Sequence, residues 1–263
     1  MSRSGSVSYL ICTAPRTGST LLAEALSSTG RAGSPDEFFK GYEPLDRLWR
    51  DAFGIEGDAD YFDKVRSART GANGVFGLKL LWPQGPALMA KLRASATLKH
   101  APANASVHEL LTMKLGAPPR YLWLRRRNKL AQAISYLRAE KTRIWRSSDM
   151  PPRGWQAETE LDFDFESIVR YLRAVNGFDM EWACFFLAHR VQMLPITYEE
   201  LSAAYEATVH RVLDFLEVPR DGVTVAPPAL RRQSDARSGE WESRFREMAR
   251  ARGLEMPELL GTA

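Results

Sequence analysis

The stretch Tyr9-Leu-Ile-Cys-Thr-Ala-Pro-Arg-Thr-Gly-Ser-Thr-Leu-Leu-Ala-Glu24 determines the fold more than any other part of the chain. Its apolar start predicts a buried strand, and its second half predicts a helix with apolar residues at helical spacing. The turn between them leaves several backbone N–H groups unpaired at the positive end of the helix dipole. Such a turn binds anions, and Arg16 adds a planar fork of donors suited to phosphate or sulfate oxygens.

A nucleoside triphosphate is the first candidate anion, but this turn departs from the ATP- and GTP-binding loop. That loop, G-x-x-x-x-G-K-[ST], needs a lysine directly after its second glycine to reach the β- and γ-phosphates. Here Ser19 follows Gly18, and Thr13 stands where the first glycine of the pattern belongs. With its cation at Arg16 and its hydroxyls after Gly18, the turn suits a nucleotide whose end group is smaller than a magnesium-bound triphosphate.

The rest of the chain alternates short apolar runs with helical patterns, which predicts an α/β fold. The predicted strands are Ser8–Thr13, Val75–Leu81, Arg120–Leu124 and Gln192–Thr197. The predicted helices are Ser19–Ser28, Gln84–Ala94, Val107–Leu115, Lys129–Arg143, Phe165–Arg190 and Tyr198–Leu216, and Asp36–Asp63 is predicted to be a long connection. This pattern predicts a P-loop-like three-layer sandwich, a mostly parallel sheet with helices on both faces and ligands beyond the carboxyl ends of its strands.

The composition predicts one domain over residues 1–263, of which 44% are hydrophobic. A net charge of +4 and a pI of about 9.1 suit an anionic cofactor but are too small to predict binding to nucleic acid. We expect Cys12 and Cys184 to be reduced thiols. The first residues lack the apolar core of a signal peptide and no apolar run is long enough to span a bilayer, so the sequence predicts a cytoplasmic protein.

Four blocks of the sequence resemble, in order, the sulfotransferases that use 3′-phosphoadenosine 5′-phosphosulfate (PAPS). The stretch Pro15-Arg-Thr-Gly-Ser-Thr-Leu-Leu22 resembles their 5′-phosphosulfate loop, and its continuation Thr29–Phe39 resembles the bacterial trehalose 2-sulfotransferase family. The later blocks are Gly77–Trp82, then Arg126–Arg146, then Arg232–Asp235 with Glu240–Trp241 and Arg244–Arg246. The blocks begin near the first predicted strand and end close to the C-terminus, so the likeness covers almost the whole chain.

The resemblance implies PAPS as the sulfuryl donor and assigns its 5′ end to the first turn. Arg16 and Lys79 would be the cations at the phosphosulfate. The backbone N–H groups that would hold it belong to Thr17, Gly18, Ser19 and Thr20. No metal is implied.

The resemblance also implies a site for the 3′-phosphate of PAPS. Enzymes of this kind hold that phosphate with an arginine at the end of the third strand and a serine about two helical turns later, here Ser135. The candidate arginines are Arg125, Arg126 and Arg127. The trehalose branch favours Arg126, which we predict, whereas the spacing of other branches favours Arg127. Arg232 is the predicted second contact to this phosphate.

A hydroxyl that attacks sulfur must lose its proton, so the reaction needs a base. The histidines lie outside the matched blocks; they are His100, His108, His189 and His210. The resemblance implies Glu37 as the base, and Asp36 is the rival beside it. We expect Phe38 and Phe39 to exclude water from the pocket. This desolvation would raise the pKa of Glu37 toward the pH at which the enzyme works.

The resemblance implies transfer of a sulfuryl group to a carbohydrate hydroxyl, with 3′,5′-ADP and a sulfate ester as products. Sugar rings stack on aromatic side chains and hydrogen-bond to planar polar groups. The predicted acceptor residues are Glu37, Phe39, Trp82, Trp145 and Trp155. The resemblance to the trehalose 2-sulfotransferase family implies trehalose as the acceptor. Because Ser34 and Asp36 differ from the residues expected in trehalose enzymes, another glycan or a glycolipid headgroup stays open.

Two other classes of protein stay open from the residues alone. One is a small-molecule kinase with an atypical P-loop, against which the missing lysine counts. The other is a non-catalytic module that binds nucleotides or nucleic acid, suggested by the pI and by the run Arg125–Arg127. The predicted partner is a small-molecule or glycan acceptor rather than nucleic acid, and kinship implies a homodimer.

Overall fold

The computed structural model describes residues 6–41, 43–145, 161–228 and 236–255. Its central sheet consists of strands β1 (Ser8–Thr13), β2 (Phe76–Leu81), β3 (Arg120–Arg125) and β4 (Met193–Thr197). The strand order is β2-β1-β3-β4, and each neighbouring pair is parallel. The strands predicted from the sequence are therefore confirmed, and their ends shift by no more than one residue.

Helices connect the strands and follow the last of them. They are α1 (Ser19–Ser28), α2 (Glu43–Phe53), α3 (Tyr61–Arg69), α4 (Gly85–Ala94), α5 (Val107–Leu115), α6 (Lys129–Thr142), α7 (Phe165–His189), α8 (Tyr198–Ala203), α9 (Tyr205–Phe215) and α10 (Ala236–Ala251). Within the described parts of the chain, each helix is too short or too polar to span a bilayer.

Alternate residues of β1 face opposite sides of the sheet, and both sides carry helices. Leu10 and Cys12 belong to an apolar cluster with residues of α3, α4, α5 and α7. Tyr9 and Ile11 belong to a second cluster with residues of α1 and α9. The predicted α/β sandwich with helices on both faces is thereby confirmed.

The same alternation places one charged side chain beneath α1. In β2, Leu78 and Leu80 join the cluster around α7, so Lys79 between them faces the opposite side of the sheet, the side of α1. β1 pairs with β2 on one side and β3 on the other, and Thr13 Oγ1 donates to the Leu124 carbonyl at 2.8 Å. The carboxyl ends of these strands therefore meet at one edge, where ligands of parallel sheets bind.

Two parts of the predicted layout differ from the structure. The predicted connection Asp36–Asp63 contains α2 and the start of α3. The predicted helix Tyr198–Leu216 is interrupted at Ala204, whose φ of −134° and ψ of 59° are not helical, so it forms α8 and α9 instead. No proline or glycine marks that interruption in the sequence, which explains why the periodic pattern concealed it.

Candidate active site

Side chains of other elements donate hydrogen bonds to the carbonyl groups of the loop between β1 and α1. Three of its carbonyl groups accept hydrogen bonds: Thr13 O from Trp182 Nε1 (2.8 Å), Pro15 O from Gln132 Nε2 (2.8 Å) and Arg16 O from Arg126 Nη1 (3.4 Å). No described residue accepts a hydrogen bond from the backbone N–H groups of residues 17–20, and α1 has no side-chain cap. The loop therefore presents an array of backbone donors at the positive end of α1, as the sequence predicts.

Two independent features of the structure require glycine at position 18. Its φ of +80° lies in the left-handed region, and a Cβ added there would lie 2.6 Å from Tyr198 Cδ2. The Tyr198 ring also carries the Arg126 guanidinium, which lies 4.9 Å from its centroid. Tyr198 thus fixes both the backbone of the loop and the cation beside it.

Arg16 lies between the loop and the region that follows β3. Its backbone has a φ of 65°, which is uncommon for a residue with a side chain. Its Nε donates to Ser135 Oγ at 2.9 Å, and its Nη1 donates to the Trp145 carbonyl. The structure therefore brings together Arg16, Arg126 and Ser135, which the family resemblance assigns to the two anionic ends of one nucleotide.

The three adjacent arginines point to different surroundings. Arg125 stacks on Trp123, with 4.0 Å from its Cζ to the ring centroid. Arg127 has a side chain that is 65% exposed and pairs with Glu200 at 3.5 Å. Among the contacts of the described residues, Arg126 reaches the loop through the Arg16 carbonyl, and its assignment to the 3′-phosphate stays a prediction.

The start of α6 carries a carboxylate from the protein itself. Glu199 accepts hydrogen bonds from the backbone N–H groups of Arg127 and Asn128 at 3.1–3.2 Å. Cations at a helix start oppose the helix dipole, so the run Arg125–Arg127 before α6 calls for a negative charge nearby. Glu199 supplies a negative charge at this position, so the run of arginines by itself carries less information about a ligand than the sequence suggested.

Lys79 connects the start of α1 to two carboxylates. Its side chain is 1% exposed, and its Nζ lies 3.0 Å from Glu37 Oε1, 3.6 Å from Asp36 Oδ1 and 3.2 Å from Thr20 Oγ1. The backbone is joined as well, because the Lys79 N–H donates to the Asp36 carbonyl at 3.1 Å. The donor array and the predicted base therefore share one buried cation.

Glu37 is held at both of its carboxylate oxygens. Besides Lys79 at Oε1, Oε2 accepts from Gln84 Nε2 at 2.9 Å and lies 3.4 Å from Lys40 Nζ. Burial acts to raise the pKa of Glu37, but the charges of Lys79 and Lys40 together with the hydrogen bonds from Lys79 and Gln84 outweigh it and lower the pKa to about 2. The prediction of a raised pKa is wrong for this arrangement, because cations rather than aromatic rings surround the carboxylate.

The predicted aromatic residues differ in their surroundings. Phe39 is 1% exposed and packs on Tyr61 and Phe62 in the core, so it stabilises the segment that carries Glu37 instead of facing an acceptor. Trp82 is half-buried with its ring 4.9 Å from that of Trp182, and Trp145 is 36% exposed. Arg232 and Trp155 lie outside the described residues, so their predicted roles stay predictions.

Gln84 and Tyr198 contact site residues but were not among the residues predicted from the sequence. Both follow the carboxyl end of a parallel strand, β2 for Gln84 and β4 for Tyr198. That position is a general signal for site residues in such sheets and would have singled them out. Among the described residues, no cluster of acidic, histidine or cysteine side chains is arranged to hold a metal ion.

Comparison with known proteins identifies the family. Residues 8–248 match the family model described as Stf0 sulphotransferase. The chain belongs to this family. It is 30% identical to the trehalose 2-sulfotransferase of Mycolicibacterium smegmatis, over 94% of this chain and 97% of the relative. It is 28% identical to the trehalose 2-sulfotransferase of Mycobacterium tuberculosis, with the same coverage of 94% and 97%.

A solved structure is also similar to this Stf0 sulphotransferase. It is the crystal structure of a sulfotransferase from Alicyclobacillus acidocaldarius, with 15% sequence identity and a TM-score of 0.45, covering 98% of this chain and 99% of that one. Family membership makes the protein a sulfotransferase. It favours this activity over the kinase and the non-catalytic module that the residues alone left open.

Proposed function

We propose that this sulfotransferase transfers a sulfuryl group from PAPS to a carbohydrate hydroxyl, in trehalose or in another glycan or glycolipid headgroup. The observation that carries the proposal is the position of Lys79, whose Nζ contacts Thr20 at the donor array and Glu37 at the predicted base. The Lys79 ammonium therefore contacts Thr20, which belongs to the loop that would bind the sulfonated end of a nucleotide. It also contacts Glu37, which would receive the proton. The relatives named above are trehalose 2-sulfotransferases, which supports a sugar acceptor.

The residues around the loop fit a nucleotide with an anion at each end. The N–H groups of residues 17–20 and the guanidinium of Arg16 would hold the 5′-phosphosulfate, which supplies the sulfuryl group. Arg126 and Ser135 would hold the 3′-phosphate, with Arg232 as a further predicted contact. The fit rests on the backbone donors of the loop and on the proximity of Arg16, Arg126 and Ser135.

Glu37 would accept the proton of the acceptor hydroxyl as that oxygen bonds to sulfur. A carboxylate with a pKa of about 2 is a weak base, so the pairing with Lys79 must loosen during the reaction. An anion beside Lys79 competes for its charge and raises the pKa of Glu37. The bridging position of Lys79 would therefore make Glu37 a stronger base when the donor site is filled.

Trp82 and Trp145 are the predicted aromatic contacts of the acceptor. Both retain exposed surface, unlike Phe39. Each could stack on a sugar ring through its apolar face while ring hydroxyls reach polar neighbours.

The proposal is tested with PAPS labelled in its sulfuryl group and a panel of disaccharides and glycolipids as acceptors. We expect label in a sulfate ester and no requirement for a divalent metal. A thermal-shift comparison should show stabilisation by 3′,5′-ADP and less by ATP with Mg²⁺. Stabilisation by ATP–Mg²⁺ alone would contradict the proposal. Glu37→Gln should abolish turnover while retaining the binding of 3′,5′-ADP.

A further inference from the structure

A cavity of about 390 Å³ runs along one face of α1. Its wall includes α1 residues from Thr20 at the start of the helix to Ser28 at its end, together with the segment 34–36, Arg69 of α3 and Lys79 of β2. We name this cavity the α1 groove. Its volume lies within the range of ligand pockets, roughly 300–1,000 Å³. One end of the groove is formed by the residues that contact the donor loop and Glu37.

Two side chains in the wall of the groove have buried polar atoms without hydrogen-bond partners in the described structure. They are Glu24, through Oε2, and Arg69, through Nε. A buried acceptor or donor that is left unpaired destabilises the fold. Both residues line one cavity, and one carries an acceptor group while the other carries donors, so a single ligand with hydroxyl groups could hydrogen-bond to both side chains.

Arg69 is fixed in place by aromatic rings. Its guanidinium Cζ lies 5.3 Å from the ring centroid of Phe38, 5.4 Å from that of Trp49 and 5.1 Å from that of Phe53. Its carbonyl accepts from the backbone N–H of Ser34 at 3.1 Å, which ties it to the segment 34–36. A guanidinium held by three rings is a rigid planar donor and loses little entropy when a ligand binds.

The charges of the groove balance one another. Glu24 and Asp36 contribute carboxylates, and Arg69 and Lys79 contribute cations. Hydroxyl side chains such as Ser34 complete the wall. A balanced site with many donors and acceptors suits a neutral ligand that carries several hydroxyl groups, because each hydroxyl both donates and accepts.

We propose that the α1 groove is a carbohydrate subsite in which Glu24 and Arg69 select the acceptor. This proposal rests on the sulfotransferase function proposed above, because the groove ends at Lys79, which contacts Glu37. Glu24 accepts a hydrogen bond from one sugar hydroxyl, and Arg69 donates to another. The pair acts as a specificity-determining contact away from the hydroxyl that is sulfated.

The test uses trehalose as the probe and the variants Glu24→Gln and Arg69→Lys. Each variant should raise the KM for trehalose about 10-fold or more, the loss expected for a hydrogen bond with a charged partner. The kcat and the Kd for 3′,5′-ADP should stay near the wild-type values. Matched controls are Glu206→Gln on α9 and Arg173→Lys on α7, both exposed and outside the groove, which should leave all three values unchanged.

The outcomes separate this proposal from the one on which it rests. If Glu24→Gln leaves the KM unchanged, the subsite is wrong, and because this variant keeps the shape of the side chain its folding is not at issue. If the wild type binds 3′,5′-ADP but neither sulfates trehalose nor binds it in saturation-transfer NMR, the subsite is wrong while the donor function stands. If the wild type binds no 3′,5′-ADP and turns over no PAPS, the proposed function itself fails.

Discussion

The loop after β1 and the region around Lys79 lie at the same edge of the sheet but are built differently. The loop offers backbone N–H groups, and its carbonyls are held by neutral or cationic side chains such as Trp182 and Gln132. The region around Lys79 consists of charged side chains that pair with one another, above all Lys79 with Glu37. Backbone donors keep their geometry and charge at any pH, whereas paired side chains exchange partners and protons.

This difference assigns different tasks to the two regions. A rigid array of backbone donors suits a constant ligand group such as a phosphosulfate. A network of carboxylates and cations suits a step in which a proton moves. A variant in one region should change one task and spare the other, whereas a variant of a residue shared by both regions should change both.

The largest effect is expected from Lys79→Met, because this residue belongs to both regions. The variant removes the cation beside the donor array and leaves Glu37 buried without its nearest positive charge. Loss of one preorganised charge at a reacting group costs roughly 100- to 1,000-fold in rate. We expect kcat with PAPS to fall by about this factor, whereas Lys64→Met on the exposed surface of α3 should match the wild type. A decrease of only two- or threefold for Lys79→Met would contradict the role assigned to it.

The second prediction concerns acid stability and the charged region alone. The pKa of Glu37 is lowered from 4.5 to about 2, so the ionised form stabilises the fold above about pH 4.5, and this contribution is lost as the pH falls toward 2. A shift of this size corresponds to about 3 kcal/mol. Between pH 5 and pH 2 the wild type should therefore lose about 3 kcal/mol more free energy of unfolding than Glu37→Gln does.

Urea titrations across that pH range measure the difference. Glu206→Gln, an exposed carboxylate replaced on α9, should follow the wild-type curve. If the curve of Glu37→Gln runs parallel to that of the wild type, Glu37 is not paired as described.

The third prediction concerns the loop alone and compares Gly18→Ala with Gly30→Ala. Both glycines have a positive φ, but a Cβ at Gly18 would meet Tyr198 and one at Gly30 would meet nothing within 4 Å. Both variants should lose about 1 kcal/mol of stability from backbone strain. Because a displaced loop loses hydrogen bonds to a charged phosphate, Gly18→Ala alone should weaken 3′,5′-ADP binding by roughly 10- to 100-fold in calorimetry. Equal binding by both variants would show that the loop does not hold the nucleotide.

The smallest effect is expected from Gln84→Leu. The Gln84 side chain accepts from the Leu81 N–H at 3.1 Å, which orients its amide so that Nε2 donates to Glu37. Its loss removes one of the hydrogen bonds that lower the pKa of Glu37, so the acidic limb of the kcat–pH profile should move to higher pH. The variant also loses the hydrogen bond that orients the carboxylate, so we expect kcat to fall about 10-fold in spite of the higher pKa. Gln192→Leu, at an exposed position before β4, is the control, and an unchanged pH profile for Gln84→Leu would remove Gln84 from this role.

The two regions also differ in how far the sequence predicts them. The loop was predictable because its strand, turn and helix are consecutive, and the carboxyl end of β3 was predictable for the same reason. The charged region joins residues that are distant in the sequence, such as Glu37 with Lys79 and Glu37 with Gln84. Residue spacing does not encode such contacts, so the cations around Glu37 and the direction of its pKa shift could not be predicted.

The prediction of a long connection over Asp36–Asp63 is wrong for its middle part. There the chain forms α2 (Glu43–Phe53). Proline is tolerated in the first turn of a helix, where Pro44 lies, and Gly41 and Gly54 fall just outside the ends of α2. Glycine and proline at those positions delimit a helix as readily as they delimit a loop.

We propose above all that the loop after β1 holds the sulfonated end of a PAPS-type nucleotide. A crystal structure with bound 3′,5′-ADP is the decisive experiment. We expect the 5′-phosphate on the backbone N–H groups of residues 17–20 and the 3′-phosphate against Arg126 and Ser135. A nucleotide bound elsewhere, or the same loop occupied by a magnesium-bound triphosphate when ATP is supplied, would contradict it.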